Sequence, residues 1–95
     1  MDNRLMVQEG QLLAVFNSGH RVMKAENLLK SHNMDILLIP APRQLQTDCG
    51  LAIRFNEQDR DAIMSVLEQN ELLPEFLSRY NSAEFVTIWK HNQIS

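Results

Sequence analysis

The sequence predicts a small α+β domain, an antiparallel sheet with helices packed against it. Three observations carry that expectation. The chain has 95 residues, which is enough for one modest core and too few for two. Hydrophobic residues make up 44% of it and charged residues 22%, the balance of a folded globular chain. Along its length the apolar pattern switches between the period of a strand and the period of a helix.

Taken in order, residues 1–9 read as a flexible N-terminal arm. Leu12-Leu13-Ala14-Val15-Phe16 is apolar on both faces, the pattern of a central strand covered on at least one side. Asn17-Ser18-Gly19 stops it, and Asn17 or Ser18 caps the helix that follows. In that helix Val22, Ala25, Leu28, Leu29 and His32 share a face, with Arg21, Lys24 and Lys30 directed away. Asp35-Ile36-Leu37-Leu38-Ile39 is a second strand, ended by Pro40 and Pro42. A loop longer than a hairpin needs then leads to Cys49. Leu51-Ala52-Ile53-Arg54-Phe55 alternates as a half-buried strand does, with Leu51, Ile53 and Phe55 on one side. Asn56-Glu57-Gln58-Asp59 has the form of a capping box for a helix that packs Ala62, Ile63, Val66 and Leu67. Pro74 ends that stretch, a helical turn follows at Glu75–Arg79, and Phe85–Trp89 is the last strand.

The order strand, helix, strand, strand, helix, strand has a compact solution. It is the ferredoxin-like split βαββαβ sandwich, with four antiparallel strands and both helices on one face. Right-handed crossovers place the third strand between the first and second, and the fourth on the far side of the first. Residues 10–69 form the core of this single domain, and 70–95 form a C-terminal extension that includes the last strand.

Composition excludes several classes of function. The net charge of −3, with Lys and Arg scattered along the chain, offers no basic surface for nucleic acid. No apolar run approaches the length of a membrane span. One cysteine and three scattered histidines make a structural metal site an unfavoured reading. With no export signal in the polar N-terminus, an unpaired thiol points to a reducing, cytoplasmic setting.

That thiol, Cys49, is the chain's most informative residue. It cannot close an intramolecular disulfide or build a multi-thiolate metal site, so any chemistry it carries uses a single nucleophilic sulfur. The expected topology gathers the Pro40–Cys49 loop, the end of the first strand and the start of the first helix at one end of the sheet. Cys49 should therefore lie near the Ser18-Gly19-His20 turn, where the backbone N–H groups of a helix start steady an anion. Arg43 and His20 are the cations expected to help, and Gly50 is expected to keep bulk away from the sulfur. Asp48 works against an ionised sulfur. The competing reading of Cys49 is a small inert hydrophobe.

The string Pro42-Arg43 … Asp48-Cys49-Gly50-Leu51-Ala52-Ile53-Arg54-Phe55 resembles the signature of the selenium/sulfur carrier-like family of small bacterial and archaeal domains. Val15-Phe16, Ser18, His20 and Lys24–Lys30 resemble that family's first strand and helix, and Ile36–Ile39 with Pro40 its second strand and loop. The resemblance covers Leu12 to Leu67. It implies a carrier that holds persulfide or selenide-type cargo on Cys49, between donor and acceptor proteins. Such a protein needs no bound cofactor and is a transfer protein rather than an enzyme with turnover. The chain departs from the pattern at Thr47-Asp48 and in extending through Leu72–Ser95. The alternative is a regulatory or dimerising module of ferredoxin-like type, in which Cys49 is incidental and the sheet face and extension bind a partner or form a homodimer. A redox sensor is a third reading, and it lacks a resolving cysteine. Trp89 is expected either in the core or at the centre of an interface.

Overall fold

Leu12–Val15 form β1, and all four residues are buried. A strand with no exposed side chain must be central and covered on both sides. It is flanked by β3 (Leu51–Phe55) and β4 (Phe76–Asn81), both antiparallel to it. The computed structural model describes residues 6–91 and holds one five-stranded sheet in the order β2-β3-β1-β4-β5, with β2 at Ile36–Pro40 and β5 at Glu84–Lys90. The helices are α1 (Gly19–Ser31) and α2 (Arg60–Gln69), the latter entered through a short 3₁₀ turn at Glu57–Asp59. No helix among the described residues is long and apolar enough to cross a membrane.

The α+β class and the place of the third strand between the first and second agree with the sequence reading. The strand count does not, because the sheet has five strands rather than four. The expected helical turn at Glu75–Arg79 is strand β4, which takes the place beside β1 that was expected for Phe85–Trp89. The Phe85–Trp89 segment lies one position further out, as part of β5. Two residues, Ser82 and Ala83, join β4 to β5, with φ of 53° and 67°. Left-handed backbone at both central positions is what a tight type I′ hairpin requires.

Two apolar layers sandwich the sheet. On one side Leu12, Ala14, Ile53, Phe55 and Leu77 meet Val22, Ala25 and Leu29 of α1 and Ile63 and Leu67 of α2. Leu28 is half-buried against this layer, whereas His32 and Ala62 are exposed. On the other side Leu13, Val15, Ile39 and Ala52 are covered without a helix. Val7 seals part of that layer, with Ala41, Leu45, Phe76, Tyr80 and Phe85 packed around it. Residues 6–9, the described part of the expected flexible arm, are accordingly tied down. Val7 is buried, Arg54 donates from Nη1 to the Met6 carbonyl at 2.9 Å, and the Ser82 amide donates to the Glu9 carboxylate at 3.0 Å. The remainder of that arm, 1–5, lies outside the described residues.

The capping box at Asn56 does not form. The Asn56 side chain makes no cap bond to the helix. Its Oδ1 instead accepts from Gln11 Nε2 at 3.0 Å, and its Nδ2 donates to Asp35 at 3.4 Å. Tertiary partners have taken the groups that a local motif would have used.

Candidate functional site

The loop over residues 41–50 is held at its neck by the Ala41 amide, which donates to the Gly50 carbonyl at 2.9 Å. Within it the Leu45 amide donates to the Pro42 carbonyl at 3.0 Å, closing a turn. Thr47 accepts from the Gly50 amide through Oγ1 at 2.8 Å. Thr47 thereby fixes the backbone next to the sulfur.

Cys49 is half-buried and packs against the helix-side layer. Its Sγ lies 3.3 Å from the Leu51 carbonyl oxygen and 3.7 Å from that of Phe16. The Phe16 contact brings the sulfur to the junction of β1 and α1, the region the topology argument selected. Both polar partners of the sulfur are carbonyls, which suit an S–H donor, and neither is an amide of the helix start.

Ser18 caps α1. Its backbone is extended, with φ −157° and ψ 154°, and its Oγ accepts from the Arg21 amide at 3.2 Å. No polar contact joins Ser18, His20 or Arg43 to the sulfur. His20 and Arg43 are exposed, as is Asp48. Gly50 has φ +71°, and a Cβ there would meet nothing within 4 Å beyond its two chain neighbours. The left-handed backbone itself favours glycine at this position.

Three features escaped the sequence reading. The carbonyls of Phe16 and Leu51 engage the sulfur, and backbone acceptors leave no residue-type signature. Arg21, read as directed away, is half-buried and donates from Nη2 to the Glu71 carbonyl at 3.0 Å. Arg21 also lines a cleft of about 470 Å³ with Asn17, Leu73, Glu75 and His91. Asn17 directly follows Phe16, so this cleft opens beside the junction that Cys49 touches. Among the described residues no group of three or more His, Cys, Asp or Glu could hold a metal ion.

Comparison with known families places the chain. Residues 11–79 match the family described as "Putative Se/S carrier protein-like". The chain belongs to that family. The match runs past the Leu67 limit of the resemblance seen in the sequence and takes in most of β4, so that β5 lies beyond the matched residues. No curated protein and no solved structure is significantly similar to the chain.

Proposed function

We propose that this Se/S carrier-like protein takes up sulfur or selenium on Cys49 and passes it to an acceptor protein. The observation that carries the reading is a lone thiol in a loop pinned at both ends, at the junction of a central strand and a helix start. In the sulfur case the Cys49 sulfur attacks the outer sulfur of a donor's persulfide. A new S–S bond forms on Cys49, the donor's S–S bond breaks, and the donor leaves as a thiolate. A nucleophile of the acceptor then takes the outer sulfur, and the Cys49 thiol is restored. The exchange needs no external oxidant or reductant.

The roles of the neighbours follow from their placement. Ser18 satisfies one N–H of the first turn of α1, while the Gly19 and His20 amides donate to no described protein group. An anionic cargo that swings away from the Phe16 and Leu51 carbonyls is steadied by those amides. Arg43 and His20, both exposed, close on it from solvent. The scaffold is best read as a ferredoxin-like core of β1 to β4 with β5 added. A single unpaired thiol suits a reducing cytoplasm.

The test is to incubate the protein with a cysteine desulfurase and cysteine and to weigh it intact. A gain of one sulfur that is removed by reductant and absent in Cys49→Ser supports the carrier. An unchanged mass, with the donor shown to be loaded, rejects it for sulfur, and the same assay with a donor loaded as a selenopersulfide (S–Se⁻), whose S–Se bond breaks as the new one forms on Cys49, decides the selenium case.

A further inference from the structure

The cleft beside the Phe16–Cys49 junction continues past Arg21. A second hollow, of about 270 Å³, shares Arg21, Leu73 and His91 with it. A third, of about 280 Å³, shares Leu73 and Glu68 with the second. Together they make one open groove. It runs from the start of α1, across the connection between α2 and β4, to the flank of α2 and the end of β5. Leu73, Met64 and Trp89 line it, each half-buried against the helix-side layer.

Charge sets this groove apart. Four carboxylates line it, those of Asp61, Glu68, Glu71 and Glu75, against one guanidinium, that of Arg21. With His91 neutral the groove carries a net −3, which is the net charge of the whole chain. The eight acidic and eight basic residues elsewhere in the sequence cancel. All four acids are exposed, and among the described residues none forms an ion pair. Arg21 is engaged with the Glu71 backbone carbonyl instead.

Local structure does not ask for these acids. Glu68 lies in the last turn of α2, which holds no basic residue, although positive charge is what steadies a helix end. Helix α1 follows that rule, with Lys30 in its last turn. Glu71 stands just past the end of α2 at φ 57°, a place usually given to glycine. Two local rules broken at one spot are the pattern of a functional surface.

We infer that this groove docks a positively charged segment of the sulfur donor, with an apolar side chain of that segment seated on Leu73 and Trp89. An acidic groove steers a cationic partner in and fixes its orientation, and the half-buried floor supplies the desolvated anchor. At its inner end is Asn17, next to the residue whose carbonyl touches Cys49. A donor held there stands beside the sulfur it must reach. Docking of a donor rests on the carrier reading above; the groove and its charge do not.

Trp89 is the chain's one tryptophan, so its emission reports on the groove. The first test titrates the full chain with a short tryptophan-free peptide of alternating lysine and leucine, and with the matching glutamate peptide. The lysine peptide should shift the emission saturably, with weaker binding as salt rises, and the glutamate peptide should not. Glu68→Lys combined with Glu75→Lys should raise the midpoint about tenfold, and Glu84→Lys, outside the groove, should leave it within about twofold. Glu68→Lys suits the helix end, which separates lost binding from lost folding. The second test loads Cys49 from a cysteine desulfurase. The double variant should need about tenfold more donor for its half-maximal rate, with a maximal rate within about twofold of wild type. A flat titration, an equal response to both peptides, or wild-type donor dependence in the double variant overturns the docking inference and leaves the carrier reading standing. A wild-type chain that takes no sulfur from a loaded donor rejects the carrier reading itself, and the donor falls with it as occupant.

Discussion

The sulfur of Cys49 stands 3.7 Å from the backbone oxygen of Phe16, 33 positions earlier in the chain, and 3.3 Å from that of Leu51. These two contacts tie the reactive loop to both β1 and β3, and they set what substitution there should do. Cys49→Ser keeps a donor for both carbonyls and should leave stability within about 0.5 kcal/mol of wild type. Cys49→Ala loses both the donor and half-buried contact area and should cost about 1 kcal/mol. Urea denaturation of the three proteins checks the ranking, and equal midpoints for Ser and Ala would show that the two contacts do not matter.

Gly50 sits at φ +71° with open space where a Cβ would be. Gly50→Ala should therefore cost about 1–2 kcal/mol through backbone strain alone. Gly50→Asn should cost less, since Asn tolerates the left-handed region. A denaturant midpoint that is the same for Ala and Asn would argue against strain as the cause.

Ser78 is fully buried on β4, and its Oγ has no hydrogen-bond partner among the described residues. A hydroxyl desolvated in that way opposes folding. Ser78→Ala is expected to be neutral or to stabilise by up to about 1 kcal/mol, a rare outcome for truncation of a core residue. A thermal melt shows the direction at once, and a drop of several degrees would mean that the hydroxyl is satisfied in solution.

Ala83 occupies the second central position of the β4–β5 turn at φ 67°. Ala83→Gly removes the Cβ penalty of that backbone and should stabilise by about 0.5–1 kcal/mol, less the entropy glycine loses on folding. The readout is the urea midpoint at constant slope. A destabilised Gly variant would indicate that the turn adopts another form in solution.

Arg43 is exposed, and among the described residues no hydrogen bond or ion pair holds its side chain. Arg43→Gln should leave the melting temperature within a degree or two while slowing loading of Cys49 about tenfold, as expected for loss of one charge-assisted contact to an anion. Loading at the wild-type rate, followed by intact mass over time, would remove Arg43 from the mechanism.

The sequence made some elements plain and hid others, for identifiable reasons. Strand β3 was legible because Leu51, Ile53 and Phe55 alternate with Ala52 and Arg54, and the first three do enter one layer and Ala52 the other. Helix α1 was legible because Ser18 caps it and Val22, Ala25 and Leu29 repeat at helical spacing. Strand β4 was hidden. Its helix-side face holds Leu77 and Arg79, with Arg79 bound to Glu57 at 2.7 Å instead of filling the core, so no alternating apolar signal survives. The hairpin after it was hidden because Ser82-Ala83 takes backbone angles usually announced by Asn-Gly. At the site, the meeting of Cys49 with the end of β1 followed from topology. The orientation of the sulfur towards Phe16 and Leu51 did not, since main-chain oxygens are the same at every position in a sequence.

The 41–50 loop has a foot in each layer of the molecule, Leu45 on the side without helices and Cys49 on the side with them. It is hooked around the end of the sheet like a clip. A clip seated on two opposing surfaces fixes its own span, so deleting a residue lifts one foot and inserting one lets the sulfur swing free. The least regular stretch of the chain is thereby among the least tolerant of a change in length. A graft of this loop onto another scaffold would fail unless both footings travelled with it.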